Sequence, residues 1–151
     1  MRMAPLCQER QVWLLTYGTL CGGFLSDKYL DQPEPGRRAL DTASLQKYKQ
    51  MIDAWGGWEW FQNLLKTLKR IADKHAVSIA NVATRYILDK PRVAGVIIGA
   101  RLGLSDHRED NARAFGFQLD AQDLEQIENV LVRSRDMYLV IGDCGDEYRS
   151  R

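Results

Sequence analysis

Two short apolar runs, each closed by a glycine and held apart by a long helical stretch, constrain most strongly what this chain can fold into. Residues 11–16 read QVWLLT and stop at Tyr17-Gly18; residues 93–98 read VAGVII and stop at Gly99. The first run lacks clean alternation, as expected for a strand buried on both faces of a parallel sheet, and the second is short and β-branched. Between them Leu45, Tyr48, Met51 and Ile52 fall at helical spacing until Gly56-Gly57 interrupts. A longer apolar stripe follows, with Trp58, Phe61, Leu64, Leu65, Leu68, Ile71 and Ala72, and runs through Lys74. Ser78 then caps a helix whose Val82, Ala83, Tyr86 and Ile87 form the buried face and which Pro91 ends. Strand, helical crossover, strand, helix is a βαβα unit. Such a unit pairs its strands in parallel and brings the loops at their carboxyl ends to one side. A binding site is therefore expected in the loops after Thr16 and after Ile98.

The remaining segments frame this unit. Residues 31–36, DQPEPG, cannot sustain a helix or a central strand and read as a surface excursion. A polar segment starts helix-like around Ser105, and Asp120 caps a last helix with Leu124, Ile127, Val130 and Leu131 on its apolar face. Residues 134–151 are expected to be a tail to a single domain spanning 1–151. A two-stranded parallel sheet is a poor fold alone, because it normally needs strands on each side and helices over both faces. Trp13 is expected on a buried strand and Trp58 in the core, so core packing accounts better for the tryptophans than a stacking surface does.

Composition excludes several classes of function. The 21 Lys and Arg against 20 Asp and Glu leave a net charge of +1, with no field to gather nucleic acid or an anionic membrane. No run approaches the roughly 18 apolar residues of a membrane span, and residues 1–10 hold no signal-peptide core. The expectation is a cytoplasmic protein. Cys7, Cys21 and Cys144 make an odd set without CxxC spacing, and His75 and His107, far apart in sequence, make no ligand pair of the i, i+4 kind, so no metal is expected. The adjacent Gly22 and Gly23 permit either a tight turn or the close approach of a ligand.

Residues 17–29, YGTLCGGFLSDKY, resemble the aldo-keto reductase segment Y-S-P-L-x-x-G-x-L-(T/S)-x-K-Y that follows the seventh barrel strand. Val96-Ile97-Ile98-Gly99-Ala100-Arg101, with Asp110-Asn111 beyond it, resembles that family's last-strand signature V-I-x-G-(A/S)-(R/S) and the E-N of its next helix. Residues 79–89 join the two in the family's style, and the resemblance runs from Met3 to Ile127. It implies a helix-rich α/β fold, a partial TIM barrel made of the last two βα units of a (β/α)8 barrel. Met1 leads into residues that look like the end of a barrel helix, so a truncated domain is expected.

The resemblance also implies NADP as cofactor and an aldehyde or ketone as the small carbonyl substrate. By position, Gly18, Leu20 and Gly23 match loop residues around the pyrophosphate or ribose, and Tyr17 matches an aromatic at the nicotinamide end. Gly99 and Arg101 match the last-strand turn, where a guanidinium fork suits the ribose 2′-phosphate. Asp110 and Asn111 match the adenine-binding pair, and His107 falls where a glutamine is common. Thr19 stands for the family's proline and Gly18 for its serine, and two extra residues lie between Arg101 and Asn111. No position matches the family's catalytic tyrosine, aspartate, lysine or histidine, so the chain alone is expected to lack reductase activity. A non-catalytic fragment that binds nucleotide weakly, self-associates or pairs with a complementary barrel fragment is the alternative.

Overall fold

The computed structural model describes residues 3–100, 103–104 and 106–142. It is a helix-rich α/β structure with seven α-helices and two strands among the described residues. In chain order these are α1 (Met3–Glu9), β1 (Leu14–Tyr17), α2 (Ala43–Trp55), α3 (Gly57–His75), α4 (Ile79–Leu88), β2 (Val93–Ile97), α5 (Arg108–Ala112), α6 (Ala121–Leu131) and α7 (Met137–Ile141). The strands pair in parallel, with Leu15 opposite Gly95, Thr16 opposite Val96 and Tyr17 opposite Ile97. The register shifts between Leu14 and Leu15. Both loops that follow the strands consequently open on the same side.

The core is built on α3. Its stripe of Trp58, Phe61, Leu65, Leu68, Ile71 and Ala72 is buried, and α2, α4 and α6 pack against it. Phe24, from the loop after β1, is fully buried beside it and meets Trp58 and Phe61 edge-on, with ring centroids 5.9 and 6.4 Å away. The expected caps hold: Ser78 accepts from the Asn81 amide, and Asp120 forms a reciprocal capping box with Asp123.

The structure corrects three expectations. The first strand is not buried on both faces: Leu15 is 67% exposed and Tyr17 69%, and Trp13 is 61% exposed rather than part of the core. The physical reason is that the two-stranded sheet has helices packed on one face, and among the described residues no further strand lies over the other. The first strand also starts later than expected, at Leu14, because Gln11 turns the chain with a φ of 55° after α1. Within the expected tail, residues 137–141 form α7, which packs against α2, while the Arg135 amide donates to Trp55 O at 2.9 Å. Cys144 lies outside the described residues.

A buried ion cluster closes α3 onto α6. Asp123 is fully buried; Lys74 Nζ lies 2.8 Å from its Oδ1 and His75 Nε2 2.7 Å from its Oδ2. Burial alone would push this carboxyl up, but hydrogen bonds from Lys74, His75 and the Asp120 amide outweigh it and hold Asp123 below the usual carboxylate range. Stability from a group lowered in the folded state is present above its unfolded value and is lost as pH falls through the folded one. Chemical denaturation followed from neutral pH to below about pH 4 is therefore expected to show a loss of stability in the native chain. Asp123→Asn, less stable at neutral pH, should show a flatter acid profile.

Candidate functional site

The turn that follows β1 is tight and spends its own donors. Gly18 and Gly22 adopt left-handed φ values of 74° and 65°, and Gly23 one of 101°. The amides of Cys21, Gly23 and Leu25 donate to Gly18 O, Leu20 O and Leu20 O at 2.9, 2.8 and 3.2 Å. Ser26 Oγ donates to Gly23 O at 2.8 Å. Gly23 can thus present its Cα to a ligand, but its N–H is already used. A Cβ on Gly23 or on Gly99 would meet nothing within 4 Å, so both positions open onto free space.

Gly18 and Gly22 face inward. A Cβ at Gly18 would lie 2.3 Å from Tyr48 Oη, and one at Gly22 would lie 2.8 Å from the Tyr48 ring. Here the tight-turn reading of the glycines is the better one: they admit the α2 tyrosine as well as the backbone angles. Cys21 sits within this turn, and burial pushes its thiol up to about 11, so it stays protonated at neutral pH.

Beyond the turn the chain is fastened to α3 and α4. Gln62 binds both Tyr29 O and the Asp31 amide, at 2.9 and 2.8 Å. Asp27 Oδ2 accepts from the Ile79 amide at 3.1 Å, and Lys69 Nζ lies 3.3 Å from Asp27 Oδ1. From the other loop, Asp110 Oδ2 accepts from Ser78 Oγ at 2.9 Å. The Asn111 amide donates to His107 O at 2.8 Å and closes the start of α5.

These elements surround one cleft of about 900 Å³. Tyr17, Gly18, Leu20, Gly23, Gly99, His107, Asp110 and Asn111 all line it. Every site residue expected from the sequence is thus brought to one place, except Arg101, which lies outside the described residues. Thr42, which caps α2, and Ser44, Leu45 and Tyr48 of α2 form a wall that no local sequence pattern announces, and Asp27, Lys28, Ser78 and Ala80 are also part of the lining. Among the described residues Lys28 is the only Lys or Arg of that lining. Thr19 Oγ1, also at the cleft, is buried without a hydrogen-bond partner among the described residues. No group of three His, Cys, Asp or Glu among the described residues could hold a metal ion, and no helix there is long and apolar enough to cross a membrane.

The sequence model of the aldo/keto reductase family matches residues 1–132, and the chain belongs to that family. It is 37% identical over 86 residues to flagellar radial spoke protein 5 of Chlamydomonas reinhardtii, a match covering 56% of this chain and 16% of that protein. Over 124 residues it is 29% identical to an aryl-alcohol dehydrogenase of Pestalotiopsis microspora, covering 82% of this chain and 28% of that one. The chain therefore spans well under a third of either relative. Its fold is similar to that of glycerol dehydrogenase from Gluconobacter oxydans, with a TM-score of 0.61 at 19% identity, over 99% of this chain and 41% of that one.

The fit of Tyr48 against Gly18 makes a stability prediction. Gly18→Ala should cost about 1–3 kcal/mol through the left-handed backbone alone, with the Tyr48 clash added. Combining it with Tyr48→Phe, which removes the hydroxyl, should recover part of that loss in urea unfolding; equal losses with and without the hydroxyl would contradict the packing.

Proposed function

We propose that the chain is a single domain, 1–151, forming the last two βα units of an aldo-keto reductase (β/α)8 barrel, and that its cleft binds NADP(H). The observation that carries this reading is the convergence of eight residues from two separate sequence motifs on one cleft. Two features of that cleft suit the cofactor. Its volume of about 900 Å³ lies in the range of about 300–1,000 Å³ common to small-molecule sites. Thr19 Oγ1 is a buried hydroxyl able to bond a ligand atom.

Within this reading, Gly23 and Gly99 let the cofactor approach the backbone closely. Lys28 supplies positive charge toward the pyrophosphate, and Tyr17 offers a flat, exposed ring to the nicotinamide. Asn111 and Asp110 present polar side chains to the adenine end, although Asp110 shares its carboxylate with Ser78. The guanidinium of Arg101 would bind the ribose 2′-phosphate, which favours NADP over NAD. When bound, such a cofactor supplies the hydride for reduction of an aldehyde or ketone. No residue here matches the family's proton-delivering tetrad, so we expect negligible reductase activity from this chain alone. The remainder of the barrel, in the same polypeptide or another, would complete the enzyme.

A second reading is favoured by the exposed apolar strand face. Leu15, Tyr17 and Ile97 stand more than half exposed on the sheet, with Trp13 beside them. A complementary barrel fragment or a second copy of this chain would cover that face, making the chain an interaction module. Sedimentation separates the two, since a monodisperse monomer that binds cofactor argues for the first reading.

The direct test is a fluorescence titration with NADPH, with NADH and the Arg101→Ala variant in parallel. Saturable binding that prefers NADPH and weakens about tenfold or more in the variant is expected, in line with the loss of a charge-assisted contact. A folded chain with no affinity for either nucleotide would overturn the cofactor reading.

A further inference from the structure

We propose that Asp27, Ser78 and Asp110 form a positioning clamp: a carboxylate from each cleft loop is fastened to the first turn of α4, and this sets the distance between the loops. The proposal rests on the cofactor reading above and adds to it a positioning role for Asp27 and Ser78, with Asp110 serving both purposes.

The first turn of a helix carries amide donors with no partner inside the helix. In α4 the Ile79 and Asn81 amides are taken up by two side chains, Asp27 and Ser78. Asp27, from the loop after β1, accepts from the Ile79 amide at 3.1 Å across 52 residues. Ser78 Oγ accepts from the Asn81 amide at 3.2 Å and from Asn81 Nδ2 at 2.6 Å. Its single proton goes to Asp110, on α5 after β2, at 2.9 Å. One hydroxyl therefore caps α4 and holds the second loop at once. Both carboxylates lie at the positive end of the helix, where charge-assisted bonds are strong.

The consequence for binding is specific. The positive end of α4, which lies at the cleft, already holds the protein's own carboxylates, and the glycine turn has spent its amides, so ligand phosphate is directed to the Lys28 ammonium instead. Among the described residues neither strand has a second neighbour in the sheet to help fix the loop that follows it, and α5 is five residues long. With the clamp closed, both loops are ordered before the ligand arrives, which lowers the ordering cost of binding. With either arm cut, one loop still presents its residues but at an unset distance from the other.

The test uses Ser78→Ala and Asp27→Ala to cut one arm each, with Ser78→Thr and Asp27→Asn keeping an acceptor in place. Asp120→Ala removes a comparable cap from α6, away from the cleft, and controls for general destabilisation. Two readouts are taken: NADPH affinity, and amide hydrogen exchange of residues 18–28 and 107–112 without ligand. The clamp predicts that each cutting variant weakens NADPH binding by about threefold or more and that their combination is non-additive. Exchange should speed up in the loop whose arm is cut, the conservative variants should recover most of the loss, and Asp120→Ala should change neither readout. Faster exchange confined to α4, with affinity unchanged, would overturn it. Should the native chain bind no NADPH, the cofactor reading fails while the clamp is still decided by exchange: loosened loops uphold it, and unaltered loops refute it.

Discussion

The burial of Phe24 against α3 is the contact on which the site depends. Phe24 directly follows the glycine turn, is wholly removed from solvent, and is ringed by Trp58, Phe61 and Tyr29. An aromatic ring of this size, buried and tilted against others, contributes on the order of 2–3 kcal/mol by area alone. Because the turn has only three residues between Leu20 and Phe24, its backbone cannot wander once Phe24 is seated. The same helix holds the next segment through Gln62, and holds α4 and α6 on its other sides. A chain with so small a sheet thus acquires a shaped cleft from helix packing rather than from strand pairing.

Much of this could be read from residue pattern. The α3 stripe names its own buried face, because spacings of three and four leave no other orientation against a core. Ser78 and Asp120 were legible as caps, since a small polar side chain before an apolar run has few other uses. The cleft residues were legible through two motifs whose glycines and flanking positions keep their order. What escaped was long-range. The first strand read as doubly buried because Val, Trp and Leu are the same residues in a covered and an uncovered sheet. Tyr48 read as a core residue of α2, and so it is in part, but nothing local reveals that its ring seats against Gly18 and Gly22. Asp27 occupies a position the motif leaves free, and its bond to the Ile79 amide spans a distance no spacing rule covers. Nor could sequence show that the Gly23 amide is already spent within the turn.

These details change how the cleft works as a binding site. A glycine turn with open amides would cradle an anion directly, whereas this turn has used the amides of Cys21, Gly23, Phe24 and Leu25 on its own carbonyls. In the proposed cofactor reading, recognition rests on shape at Gly23 and Gly99, on the hydroxyl of Thr19 and on side-chain charge. Membership of the aldo/keto reductase family is consistent with such a site. The exposed Leu15, Tyr17 and Ile97 mark the opposite side of the same economy, since a sheet of two strands leaves apolar surface that a full barrel would cover.

In the proposed function the loops after β1 and β2 act as two walls of one cofactor cleft. Amide chemical shifts of the labelled chain, followed by nuclear magnetic resonance during titration with NADPH, address it most directly. The account predicts that the signals of Gly18, Gly22 and Gly23 move together with those of Gly99 and Asn111 along one saturation curve. Shifts confined to one loop, or a folded spectrum that NADPH leaves unchanged, would contradict it.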